Sequence, residues 1–134
     1  MAIAPINKVR QVVEYAITRI SPGKIDLGIP NYGYDWTLPF VQGSSRARTI
    51  GNLEAVQLAI DAGVAIEFDE TAMSPFFRYE KDGQLHEVWF EDVRSYKEKF
   101  SLLPEYSLRG MGYWQIMRFF RPNWLLLQDT FLIQ

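Results

Sequence analysis

The sequence predicts an α/β fold, and two stretches of similar construction carry the prediction. In the first, Lys24-Ile25-Asp26-Leu27-Gly28-Ile29-Pro30-Asn31-Tyr32-Gly33-Tyr34-Asp35-Trp36, an apolar strand-like run through Ile25, Leu27 and Ile29 is interrupted by Gly28 and Pro30. It ends in three aromatics and an acid. The second, Leu108-Arg109-Gly110-Met111-Gly112-Tyr113-Trp114-Gln115-Ile116, is again short, glycine-bearing and aromatic at its C-terminal end. Each follows a segment with helical periodicity. The two therefore read as parallel strands whose C-terminal ends carry function, which is where α/β folds place their sites.

The elements between them follow in order. Pro5 to Ile20 reads as a helix, with Ile6, Val9, Val13, Ala16, Ile17 and Ile20 on one face and Ser21-Pro22-Gly23 as its stop. After Trp36 a loop from Thr37 to Ile50 carries Arg46 and Arg48, long enough to suggest a role. Asn52 to Ala62 is a second helix, with Leu53, Val56, Ala59 and Ile60 as apolar positions and Gly63 beyond its end. Three short strands follow, at Ala65 to Phe68, Phe76 to Tyr79 and Glu87 to Phe90. The last two flank Lys81-Asp82-Gly83-Gln84, a strong hairpin signal. Asp92 then caps a helix through about Leu103, burying Val93, Tyr96, Phe100 and Leu103. The tail from Arg118 to Asp129 is apolar enough to need a partner surface.

Composition narrows the function classes. A net charge of −2 with interspersed signs leaves no basic footprint for nucleic acid and no polybasic membrane patch, so neither partner is expected. Without cysteine there is no disulfide, thiolate metal site or cysteine nucleophile. No apolar run is long enough to span a bilayer, and no signal peptide is expected at the N-terminus. Aromatics reach 15%, which fits either a well-filled core or a surface that stacks on flat ligands. Two parallel strands alone leave both edges open and too little cover, so the chain is expected to be part of a larger sheet or to self-associate.

Leu27 to Trp36, followed some 75 residues later by Gly110-Met111-Gly112-Tyr113-Trp114, resembles the seventh and eighth strands of glycoside hydrolase family 18, the chitinase-like TIM barrels. Asp69-Glu70-Thr71-Ala72, Phe76-Phe77-Arg78-Tyr79, Val88-Trp89-Phe90-Glu91-Asp92 and Asn123-Trp124-Leu125-Leu126-Leu127 are more specifically similar to the branch of spore peptidoglycan hydrolases often joined to LysM modules. The resemblance runs from about Pro5 to Phe131. It implies the C-terminal portion of a (β/α)8 TIM barrel, residues 1–134 forming one partial domain with a small antiparallel β-hairpin insertion at 65–91. A complete barrel needs about 250 residues. The implied parent hydrolyses β-linked N-acetylglucosamine glycans, peptidoglycan or chitin-like, by substrate-assisted retaining catalysis without metal or organic cofactor. A spore-associated or extracytoplasmic location follows from the same resemblance.

One departure bears on mechanism. In this family the general acid closes an Asp-x-x-Asp-x-Asp-x-Glu run on the fourth strand, and a tyrosine on the sixth helps hold the substrate acetamido group. Neither is present, both being expected upstream of Met1 in a full-length parent, so no catalytic residue is assigned here and the chain alone is expected to be inactive. What carries over is the sugar-binding floor. Trp114 matches the tryptophan under the reacting sugar, whose indole stacks on pyranose C–H bonds; the alternative is a core tryptophan closing the sheet. Tyr32 and Asp35 are assigned to the cleft, Tyr34 and Trp36 to its rim, because Gly28 and Pro30 invite a bend.

Asp69, Glu70, Glu91 and Asp92 are the acidic groupings, read as helix caps and surface salt bridges rather than a catalytic pair. Arg46 and Arg48 are candidates for a muropeptide carboxylate, against a solvated loop. His86 has no metal or nucleophile partner in the sequence and is read as structural or exposed. A competing class is a free-standing carbohydrate-binding or assembly module that covers its open edges by oligomerising.

Overall fold

A computed structural model describes residues 1–132. In chain order the elements are α1 (Ile6–Ile17), β1 (Asp26–Pro30), β2 (Gly33–Thr37), β3 (Arg48–Ile50), α2 (Asn52–Ala62), β4 (Glu67–Asp69), β5 (Ser74–Lys81), β6 (Gln84–Trp89), α3 (Val93–Tyr106), β7 (Gly110–Trp114) and α4 (Arg121–Thr130). They form two sheets, each with its own core. β1 and β7 pair in parallel, Ile29 opposite Tyr113 and Pro30 opposite Trp114. Around them α1, α3 and α4 bury Ile6, Val13, Leu27, Ile29, Tyr96, Phe100, Leu102 and Leu127. The other sheet is antiparallel in the order β3-β2-β6-β5-β4, and α2 covers it with Ala55 and Ala59 against Ile50, Phe77, Val88 and Phe90.

The run read as one strand from Lys24 to Trp36 is divided. Pro30 has no N–H to offer a ladder, and the Asn31 amide instead donates to the Trp114 carbonyl at 2.8 Å, closing the parallel pair. From Gly33 the chain joins the other sheet, with Tyr34 opposite Trp89 and Trp36 opposite Glu87. Tyr34, Asp35 and Trp36 therefore belong to the antiparallel layer, which begins at Gly33 rather than at residue 65 and takes in Arg48–Ile50 from the expected loop. The hairpin falls where the sequence placed it: Lys81 pairs with Gln84 across Asp82 and Gly83, whose φ of 53° and 72° are the left-handed pair of a type I′ turn.

Gly33 sits where a Cβ would lie 2.8 Å from both the Phe90 Cβ and the Trp89 carbonyl oxygen. Neither atom is the end of a flexible side chain. Gly33→Ala is expected to cost about 3 kcal/mol, the upper end of overpacking penalties. Urea unfolding checks this against Gly28→Ala, whose added methyl meets nothing within 4 Å.

Helix phases differ from the sequence reading where small residues decide the contact. In α2 the alanines lie on the sheet, while Leu53 and Ile60, expected to be inside, are 64% and 65% exposed. Small side chains permit the closest approach of helix to sheet, so Ala55 and Ala59 set the buried face. α1 ends at Ile17, leaving Ile20 exposed. Asp92 does cap α3, accepting from the Arg94 and Ser95 amides, but the helix continues to Tyr106 and Val93 is exposed. The apolar tail becomes α4, which buries Asn123 and Leu127 and sets Trp124 against Tyr113, ring centroids 5.5 Å apart.

Candidate functional site

Trp114 closes β7 and is 73% exposed, so it is not a core tryptophan closing the sheet. It borders a concavity of about 150 Å³ lined by Tyr32, Tyr34, Thr49, Trp114, Gln115 and Arg118. The walls come from five pieces of backbone: the β1–β2 link, β2, β3, the end of β7 and the turn after it. Tyr32 and Tyr34 meet edge to face at 5.5 Å, continuing through Trp36 at 5.8 Å to Phe40 at 5.4 Å. Burial, with Tyr34 next, raises the Tyr32 phenol above its usual pKa, keeping it a neutral hydrogen-bond donor.

Asn31 holds this arrangement. It is buried, and its Nδ2 donates to the Gln115 carbonyl at 3.1 Å and to the Arg118 carbonyl, fixing both ends of the turn that follows Trp114. The Trp114–Gln115 peptide is cis. The Tyr96 hydroxyl donates to the Pro30 carbonyl at 3.1 Å, lies 3.3 Å from Asn31 Oδ1 and accepts from Asn52 Nδ2 at 2.9 Å. Burial pushes the Tyr96 phenol far above its normal range. Asn52 Oδ1 in turn accepts the Glu91 amide at 3.1 Å. The network reaches from the floor of the concavity to the start of α3.

Two acids are placed differently from the sequence reading. Asp35 does not reach the cleft. It is buried on the face of β2 opposite Tyr34 and Trp36, because neighbouring strand residues alternate. There it accepts from the Tyr79 hydroxyl at 2.9 Å, sits 2.9 Å from His86 Nδ1 and is approached by Arg48 at 3.3 Å. His86 thus has a structural partner, and burial with Asp35 raises the Tyr79 phenol to about 12. Glu91 is no surface group: it is fully buried against Lys99, with Nζ 2.9 Å from Oε2. Burial raises its pKa and Lys99 opposes the rise.

Of the five predicted binding residues, Trp114, Tyr32 and Tyr34 come together, whereas Trp36 packs behind Tyr34 and Asp35 lies on the other side of the sheet. Thr49, Gln115 and Arg118 were not anticipated. Arg118 stands four positions after Trp114, a spacing that signals nothing until the turn is built. Among the described residues, no group of three or more His, Cys, Asp or Glu is placed to hold a metal ion.

No family model matches the chain. The cortical fragment-lytic enzyme of Bacillus subtilis strain 168 is 47% identical over 131 residues, covering 97% of this chain and 30% of that protein. The crystal structure of the Bacillus megaterium QM B1551 spore cortex-lytic enzyme SleL matches with a TM-score of 0.95 at 48% identity, over 100% of this chain and 32% of that one. The chain corresponds to a C-terminal portion of the chitinase-like glycosidases. A chitinase from Chromobacterium violaceum ATCC 12472 shares the fold at a TM-score of 0.87 and 27% identity, over 97% of this chain and 40% of that one. The chain spans about a third of the length of the cortex-lytic relatives it matches. These likenesses bear out the family resemblance read from the two aromatic strand ends. They also bear out its spore-hydrolase branch.

Proposed function

We propose that this chain supplies the aromatic floor of a cleft for N-acetylglucosamine-containing glycans. The glycosidase built around it hydrolyses β-linked N-acetylglucosamine in peptidoglycan or chitin-like strands, with retention and with the substrate acetamido oxygen as nucleophile. One observation carries the reading: an exposed indole at the C-terminal end of a parallel strand, beside two tyrosines and fixed from behind by Asn31. An indole face offers a pyranose C–H face the contact it favours, and a neutral Tyr32 hydroxyl can donate to a sugar or acetamido oxygen. The names of the relatives, a cortex-lytic enzyme and a chitinase, support the same substrate class.

Among the described residues, those that line the Trp114 concavity include no acid to protonate the leaving oxygen. Asp35 is held by three donors on the far face of the sheet, and Glu91 is sealed against Lys99. The chain by itself is therefore expected to bind and not to turn over. Incubation with N-acetylglucosamine oligomers, followed by reducing-end assay and by intrinsic fluorescence on the same samples, checks both halves. Saturable binding without new reducing ends is the expected result. Turnover would contradict it, and absence of binding would remove the floor assignment.

A second reading, an assembly module, is favoured by one feature. Among the described residues no further strand pairs with the outer edges of β1 and β7, and Ile116, Met117 and Phe119 are 74%, 83% and 65% exposed beside them. The 134-residue chain is expected to self-associate through these surfaces, seen as a mass that rises with concentration in light scattering. A strictly monomeric profile would contradict that.

A further inference from the structure

We propose that Arg118 reads a carboxylate on the glycan, so that the site prefers an acidic strand over a neutral one of the same sugars. The inference rests on the glycan reading of the Trp114 concavity and adds the substituent that the sugar would carry.

Arg118 is the one charged side chain among the six that line the concavity. The same side chain borders a larger hollow of about 600 Å³ between the start of α2 and Met117–Phe119, and its Nη1 lies 3.8 Å from where a Cβ on Gly51 would stand. Its backbone is held at both ends, the amide donating to the Gln115 carbonyl at 3.5 Å and the carbonyl accepting from Asn31. Arg118 is thus a half-buried residue whose backbone is fixed beside the concavity. Yet among the described residues no carboxylate lies within the 4.0 Å of an ion pair with it, and its side chain makes no hydrogen bond.

The neighbouring charges are already satisfied. Arg48, a sequence candidate for this role, is clamped between Asp35 at 3.3 Å and Glu54 at 2.6 Å. Glu54 shares the larger hollow with Arg118, but it is committed to Arg48 and to the Gly51 amide at 3.4 Å. Arg46 is exposed on the loop between β2 and β3, without a contact that fixes it. What remains is an uncompensated planar cation beside an aromatic sugar floor. A guanidinium matches a carboxylate in bidentate fashion, while a neutral amide or hydroxyl leaves its charge unanswered. On the N-acetylglucosamine strands proposed above, two placements of a carboxylate are compared: a lactyl ether on the ring, and the free end of a peptide attached through that ether.

The test uses three β-linked disaccharides containing N-acetylglucosamine. One bears a lactyl carboxylate, one its primary amide, and one an alanine joined through the lactyl group with its own carboxylate free. Calorimetric titration into the chain is expected to show at least one acid binding about tenfold tighter than the amide, as a charge-assisted pair allows. Which acid wins locates the carboxylate. The acid-to-amide ratio is expected to fall to near one in Arg118→Gln, to survive in part in Arg118→Lys, and to shrink in the wild type as salt is raised. A wild-type ratio near one, or a ratio unchanged by Arg118→Gln, overturns the inference. If the amide binds through Trp114 without any acid preference, the glycan reading stands and this inference alone fails. If no disaccharide binds, both fall.

Discussion

Lys99→Met is expected to destabilise the chain by about 3–5 kcal/mol, the range for removing one partner of a buried ion pair. Lys99 and Glu91 are each at most 1% exposed, Lys99 Nζ lies 2.9 Å from Glu91 Oε2, and Glu91 Oε1 has no hydrogen-bond partner. Methionine fills the space but leaves a carboxylate with nothing opposite. Burial already raises the Glu91 pKa and Lys99 restrains that rise, so without Lys99 the pKa climbs further. An acid whose pKa is higher folded than unfolded holds its proton more tightly in the native state. Its favourable contribution is then present below the unfolded carboxylate range, near pH ~4.3, and is lost as pH rises through the folded value. The deficit of Lys99→Met should accordingly be smaller at mildly acidic pH than at mildly basic pH, and Glu91→Gln added to it should recover part of the loss. Urea unfolding of the three proteins at both pH values checks this, and a deficit independent of pH would contradict it. Because the Glu91 amide leads through Asn52 and Tyr96 to Asn31, the same variant should loosen the turn behind Trp114.

Much of this molecule was legible in its sequence, and the failures have identifiable causes. Local signals worked where one residue decides: Asp82-Gly83 for the hairpin, Asp92 for the cap of α3, and the glycine-bearing runs for β1 and β7. The division at Asn31 was missed because Gly28 and Pro30 mark an interruption of the run without showing that the chain changes sheets there; the bond from the Asn31 amide to Trp114 shows where one sheet ends and the other begins. Asp35 was placed in the cleft on the bend expected from Gly28 and Pro30, whereas β2 alternates regularly from Gly33 and turns Asp35 to the face opposite Tyr34 and Trp36. In α2 the reading holds for Ala59 and Val56 but took in Leu53 and Ile60 and left out Ala55, because large apolar residues outweigh alanines in a periodicity reading while close helix-to-sheet packing favours the alanines. Glu91 next to Asp92 read as surface charge, because its partner Lys99 lies two helical turns on and a lysine beside the buried Tyr96, Phe100 and Leu103 does not itself read as buried. Arg118 and Asn31 depend on contacts across more than 80 residues and had no local signature.

Trp114→Ala is expected to have the largest effect on function, weakening N-acetylglucosamine oligomer binding by about tenfold to a hundredfold. An indole face covered by a sugar ring contributes apolar burial and stacking of about 1.5–3 kcal/mol. The fold should be nearly unaffected, within about 0.5 kcal/mol, because the side chain stands largely in solvent. Trp114→Phe, keeping a smaller aromatic face, should fall between the two. Calorimetric titration together with urea unfolding separates a lost contact from a lost fold. Equal losses of affinity and stability would point to a structural tryptophan instead.

The most direct measurement is the proton spectrum of an N-acetylglucosamine trimer during titration with this chain. A sugar lying on the Trp114 indole places the axial protons of one ring face in the shielding region of the aromatic current. The expected result is an upfield shift of those protons that saturates with protein and vanishes with Trp114→Ala. Shifts of the same size with the alanine variant, or none with the wild type, would contradict the assignment of Trp114 as the floor of a glycan site.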